Sequence, residues 1–190
     1  MTLLKTDLHD EICRRVKKGI GVWDDEGLRL AYLASQVPEN GVIVEIGSYR
    51  GRSAVFMGAA VKTGVQIFCV DVWRNPKEKK FTAESADLKI FMETIGMFGF
   101  DRFTIPIQGS SPVVARDWHK PIDFLFIDGE HTYDAVKKDY ESWYPHVKDG
   151  GAIAFHDYQP KNWPSVRQFV DGRKELEFTG LQGFIWSGQK

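Results

Sequence analysis

Much of what commonly advertises a protein's chemistry is missing from this chain of 190 residues. It has two cysteines, Cys13 and Cys69, in no CxxC or Cys/His arrangement, so no zinc site or redox pair is spelled out. Both read as free thiols of a reducing cytoplasm. No apolar run approaches the ~20 residues of a membrane span. The opening stretch MTLLKTDLHDEICRR turns charged too early for a signal peptide. A cytoplasmic protein with no membrane partner is expected. The net charge is -1, so no overall basic field attracts nucleic acid. Neither GxGxxG nor GxxxxGK[ST] occurs, which removes the two commonest phosphate cradles. Repeats, low-complexity tracts and long linkers are absent as well, leaving one domain, 1–190, around one core.

What the sequence does have is alternation. Leu8, Ile12, Val16 and Ile20 recur every four residues as on an amphipathic helix, which Gly19 and Gly21 would end. A second helix follows, with Asp24 or Asp25 as N-cap and Leu28, Ala31 and Tyr32 on one face. Beyond the turn at 38–41 the period changes. Strands are predicted at 42–46, 66–72, 103–108, 122–127 and 152–155, separated by helices at 52–61, 83–98, 112–118 and 132–147. Thr132 would cap the last of these and Gly150–Gly151 would stop it. A helix at 164–175 and a hairpin about Gly180 to Gly183 close the chain. Nearly continuous apolar strands between helices imply a parallel sheet covered on both faces. The expected fold is α/β: a Rossmann-like, doubly wound, seven-stranded and mostly parallel sheet. It has a C-terminal antiparallel hairpin, an N-terminal helical extension at 1–40 and a core at 41–187.

In such a sheet ligands bind outside the carboxyl ends of the strands. The residues just after each strand are Gly47 to Gly51, Asp71 to Trp73, Gly109 to Ser111, Asp128 to His131 and His156 to Tyr158. They are rich in Gly, Ser, Asp and His, whereas the opposite edge offers turn residues. In VEIGSYRGRS, Gly47 and Gly51 let the chain turn tightly and a ligand approach. Glu45, two residues before Gly47, would repel phosphate and suit a cationic amine. Asp71, one strand later, can accept both hydroxyls of a ribose.

The segments VIVEIGSYRGRSAVFMGAA, IFCVDVW and IDFLFIDGEHTYDAVKKDYESWYPHVKDGGAIAFHDY together resemble the class I S-adenosylmethionine-dependent methyltransferases. They are most similar to the small bacterial branch with an IDGDHSY-like motif. Macrocin-type, cephalosporin-hydroxylase-like and catechol-type proteins are related to that branch. The resemblance covers roughly residues 24 to 187. It implies that Glu45, Gly47, Ser48 and Gly51 surround the methionine part of the cofactor. Asp71 would hold the ribose, Val72 and Trp73 would lie beside the adenine, and Gly109, Ser110 and Ser111 would border it. Many relatives carry an acid where Ser110 stands. Asp128 would lie beside the sulfonium.

In catechol-type relatives the metal ligands occupy the position of Asp128 and an Asp-Asn pair after the next strand. That pair here is His156-Asp157. A divalent cation, Mg2+ or Mn2+, held by Asp128, His156 and Asp157 is therefore expected, and the imidazole favours Mn2+, Fe2+ or Zn2+ over Mg2+. A lysine serves as general base in those relatives at the spacing of His131, so His131 and Asp128 are the catalytic candidates. The alternative for His131 and Glu130 is to cap the following helix. The expected activity is transfer of a methyl group to a small-molecule hydroxyl, of a sugar or a phenol, with no nucleic-acid partner. Self-association into a homo-oligomer stays open. Competing readings are a nucleotide- or dinucleotide-dependent enzyme on a similar sheet, and a non-catalytic binding domain. The charged run RNPKEKK at 74–80 reads as a solvated loop or a lid.

Overall fold

The computed structural model describes residues 6–16, 22–73, 86–159 and 161–190. Gly19, Gly21, the lid candidate at 74–80 and the expected helix start at 83–85 lie outside them. Seven strands form one sheet: β1 (Val42–Ile46), β2 (Gln66–Asp71), β3 (Thr104–Gln108), β4 (Ile122–Ile127), β5 (Val147–Phe155), β6 (Glu177–Gln182) and β7 (Ile185–Gln189). Their order is β3-β2-β1-β4-β5-β7-β6. The first five are parallel, and β7 runs antiparallel to both β5 and β6. This is the expected doubly wound sheet with its closing hairpin.

Two apolar layers bury the two faces of the sheet. Helices α1 (Thr6–Arg15), α2 (Asp24–Gln36), α3 (Arg52–Gly58) and α4 (Ala86–Met97) cover one with Leu30, Phe56 and Phe91. Helices α5 (Ser111–Arg116), α6 (Tyr133–Trp143) and α7 (Pro164–Asp171) cover the other with Trp143, Val166 and Phe169. Side chains alternate along a strand, so Ile43 joins the first layer while Val44 and Ile46 join the second. Glu45 therefore points into the first layer, and it is fully buried there.

Several boundaries differ from expectation. The helix predicted to run to residue 147 ends at Trp143 and passes through a 3-10 turn, Tyr144–His146, because Pro145 lacks the N–H and crowds the preceding turn. Strand β5 then begins at Val147, paired with Ile122, and Gly150–Gly151 lies inside it at an irregularity in the ladder. Gly172 follows α7 four residues before the predicted end. The N-cap of α2 is Trp23, whose N–H is taken by the Glu26 carboxylate at 2.7 Å. Asp24 instead pairs with Arg52. Arg52 is buried, and it also donates to the carbonyls of Val22 (2.8 Å) and Val16 (2.6 Å). That one guanidinium fastens the N-terminal extension to the sheet.

Candidate active site

Strands β1 and β4 are neighbours, while the chain proceeds from β1 to β2 on one side and from β4 to β5 on the other. The carboxyl ends of β1 and β4 thus form the switch point where an open α/β sheet leaves a crevice. A cavity of about 430 Å³ lies there. Its wall includes Gly47, Asp71, Val72, Gly109, Ser110, Ser111 and Asp128, brought together from the ends of four strands. Tyr49 and Glu130, from the expected edge segments, also line it, and so do Lys138 and Asp139, which were not anticipated from the sequence.

Gly47 has φ of 86°, and a Cβ on it would lie 2.0 Å from the Asp128 carbonyl oxygen. Only glycine lets the β1 and β4 loops meet so closely. Asp71 is anchored by the N–H groups of Tyr49 (2.8 Å) and Trp73 (2.7 Å), one on each carboxylate oxygen. Each oxygen keeps a lone pair for a further donor. Burial raises the Asp71 pKa, and these N–H groups temper the rise.

Trp73 departs from its expected place beside the adenine. It is buried against Phe91, with ring centroids 5.0 Å apart, and its indole N–H goes to the Tyr49 carbonyl at 2.6 Å. Its large apolar surface is better satisfied in the layer between sheet and helix. Glu45, Ser48 and Gly51 lie beneath the turn rather than on the cavity wall. Glu45 Oε2 receives the Cys69 thiol at 3.4 Å, whereas Glu45 Oε1 and Ser48 Oγ are buried without a hydrogen-bond partner. Burial pushes the Glu45 pKa up to about 7; Ser53, Ser48 and Cys69 temper this and Asp128 adds to it.

Beside the cavity lies a compact set of charges. His131 Nε2 is ion-paired with Asp157 Oδ2 at 2.8 Å and stands 3.7 Å from Asp128 Oδ1. The Trp163 ring covers the His131 ring at 4.5 Å. Behind them His156 gives Nδ1 to Asp128 (3.0 Å) and Nε2 to Glu26 (3.0 Å). Burial opposes a charge on His156, but Asp128, Asp157 and Glu26 outweigh it and push its pKa up to about 12. Burial is likewise outweighed at His131, which Asp128 and Asp157 raise to about 9. Asp157 is buried too, yet the two imidazoles hold its pKa well below the usual range.

The expected metal set is therefore rearranged. Both nitrogens of His156 are engaged by carboxylates, so it offers no free ligand atom. Among the described residues, Asp128, His131 and Asp157 bring donor atoms within 4.8 Å of one another. The capping alternative for His131 also gives way, because Thr132 caps α6 by accepting the Ala135 N–H at 3.3 Å. Glu26 is a further site residue that the sequence did not single out. It sits on α2, over a hundred positions away from its partner, and its only local signal is a glutamate at the third position of a helix.

The family model of a methyltransferase domain matches residues 44–158, more than half of the chain, and spans all five edge loops. The chain belongs to the methyltransferase domain family. That membership agrees with the resemblance of its motifs to the class I, S-adenosylmethionine-dependent methyltransferases. An uncharacterized protein of Acanthamoeba polyphaga mimivirus is 31% identical over 136 residues, covering 67% of this chain and 58% of its own. The chain spans less than two thirds of the length of the curated relatives it matches. An O-methyltransferase from Bacillus cereus, solved in complex with SAH, superposes with a TM-score of 0.70 at 17% identity, covering 98% of this chain and 92% of that one. The O-methyltransferase TomG from Streptomyces achromogenes, solved with SAM, gives 0.72 at 15% identity, covering 99% and 92%. At such identities these two show a shared fold. Among the described residues of the methyltransferase domain, no helix is long and apolar enough to cross a membrane.

Proposed function

We propose that the protein methylates a hydroxyl of a small molecule, with S-adenosylmethionine as donor and a divalent cation as aid. The observation that carries this reading is that Asp128 belongs at once to the cofactor-sized cavity and to the Asp128–His131–Asp157 set. Donor site and deprotonating site thereby share an edge.

The residues present fit the cofactor. Glu45, buried directly beneath the glycine turn with Oε1 lacking a close hydrogen-bond partner, puts a carboxylate under the place where a methionine ammonium would lie. Asp71 has lone pairs to spare for ribose hydroxyls. When bound, the cofactor supplies an electrophilic methyl group on a sulfonium, which passes in line to the acceptor oxygen and leaves S-adenosylhomocysteine. The protein's part is to align the acceptor and to lower the cost of losing its proton.

Asp128, His131 and Asp157 also fit a cation. Two carboxylates and one imidazole suit Mn2+ or Fe2+ better than Mg2+, and a cation there would stabilise the acceptor as an alkoxide or phenolate. Glu26 and His156 keep Asp128 turned toward that set. Trp163, 42% exposed over His131, provides an apolar plate on the acceptor side. A modest ring, sugar or phenol, matches it better than a nucleic acid would.

The test is calorimetry with S-adenosylhomocysteine, with Mn2+ and with both, followed by methyl transfer to a panel of catechols and sugars. S-adenosylhomocysteine is expected to bind, Mn2+ to stimulate turnover, and Asp157→Asn to lower turnover ~10–100-fold, the range typical of disturbing a metal's surroundings. Turnover that is indifferent both to chelation and to Asp157→Asn would remove the cation from the reading.

A further inference from the structure

We infer that Asp139, from the middle of α6, is the residue that recognises the adenine, its carboxylate accepting the exocyclic amino group. This rests on the S-adenosylmethionine reading above and goes beyond it. Asp139 is only 7% exposed, yet it lines the cavity together with Gly109, Ser111 and Gly129. A Cβ on Gly129 would stand 2.9 Å from Asp139 Oδ2, so the missing side chain is what lets the carboxylate lie against that loop.

Ser111 aims it. The Ser111 hydroxyl oxygen accepts the Trp143 indole N–H at 2.8 Å, which leaves the Ser111 hydrogen free for the carboxylate. No lysine, arginine or histidine among the described residues is ion-paired with Asp139. Burial pushes its pKa up to about 6, Ser111 and Lys138 holding it down and Glu130 pushing the same way as burial. A buried carboxylate with one neutral donor has lone pairs left over, and leaving them unmet is costly. A donor from a ligand in the cavity would meet them.

The sheet order says which part of the ligand that is. Along the carboxyl edge the loops come in the order β3, β2, β1, β4, hence Ser110 and Ser111, then Asp71, then Gly47, then Asp128. A nucleoside with its ribose on Asp71 and its sulfur near Gly47 and Asp128 extends its base toward Ser111. Asp139 meets it there from α6. Adenine presents an amino donor at that end. Hypoxanthine presents a carbonyl, whose lone pairs would face those of Asp139. Ser110, with a short neutral side chain, cannot make the same distinction.

The experiment is isothermal calorimetry of S-adenosylhomocysteine and S-inosylhomocysteine, with the wild-type chain, Asp139→Asn and Ser111→Ala. A charge-assisted hydrogen bond exchanged for a lone-pair clash predicts a wild-type preference for the adenosyl compound of at least roughly tenfold. Asp139→Asn is expected to erase that preference, because its amide can donate to the 6-carbonyl, and Ser111→Ala to reduce it several-fold. A wild-type chain that binds both compounds alike overturns the assignment without recourse to any variant. So does a folded Asp139→Asn protein that keeps the preference. Failure of the wild type to bind S-adenosylhomocysteine at all would overturn the cofactor reading and this one with it, whereas binding with unaltered preference in both variants overturns this one alone.

Discussion

Glu45 shows what a buried acid costs in stability. Its folded pKa, about 7, lies above the ordinary glutamate value of 4.5. A raised carboxyl contributes stability that is fully present below the unfolded pKa and is lost as pH rises through the folded one. Glu45 thus weakens the fold at neutral and higher pH, by on the order of 3 kcal/mol. Glu45→Gln is expected to melt at a higher temperature than the wild type at pH 8, with little difference near pH 4. Equal shifts at both values would show that Glu45 is not the buried, unmet acid described here. Glu26, by contrast, is buried in an ion pair with His156 at 3.0 Å. Glu26→Ala leaves a buried imidazolium short of one partner, and breaking such a pair costs about 3–5 kcal/mol. Urea unfolding would read that loss. Residue types alone brought Glu45, Asp71 and Asp128 to notice. They did not single out Glu26 or Asp139, because an acid on a helix normally belongs to a solvated face and only packing reveals that it is buried.

Elements place these residues, and the glycine turn after β1 does so under the tightest constraint. Gly47→Ala would put a methyl 2.0 Å from the Asp128 carbonyl at a backbone angle that disfavours any side chain. The β1 and β4 loops would have to separate, taking Asp128 away from the cavity. The expected result is loss of S-adenosylhomocysteine binding in calorimetry, with a destabilisation of roughly 1–3 kcal/mol. Unimpaired binding by Gly47→Ala would mean that the close approach is dispensable. Strand positions were largely legible, because a run such as IDFLFI has no other comfortable place than the middle of a sheet. Helix ends were less so. The apolar spacing runs on through Val147 across Pro145, and the start of β5 depends on a ladder with Ile122 that no local pattern announces.

For the molecule as a whole, Arg52 is one of the ties between the extension and the core, beside Glu26 and the shared apolar layer. Its guanidinium reaches Val16, Val22 and Asp24 from the first residue of α3, directly after Gly51 of the glycine turn. Arg52→Met is expected to loosen α1 and the start of α2. Glu26 would then be held less firmly against His156, so amide exchange in α2 should quicken before exchange in β1 and β4 does. Uniform acceleration across the sheet would point to general destabilisation instead. By itself the sequence determined the sheet, its doubly wound class and the edge at which chemistry is done, because apolar periodicity and glycine turns act locally and survive in a linear reading. Only the tertiary structure decided that His131 and His156 both reach Asp157, that Trp73 belongs to the core, and that acids on α2 and α6 enter the site. Those outcomes depend on which buried groups find partners of opposite charge, and strands and helices distant in sequence supply the partners.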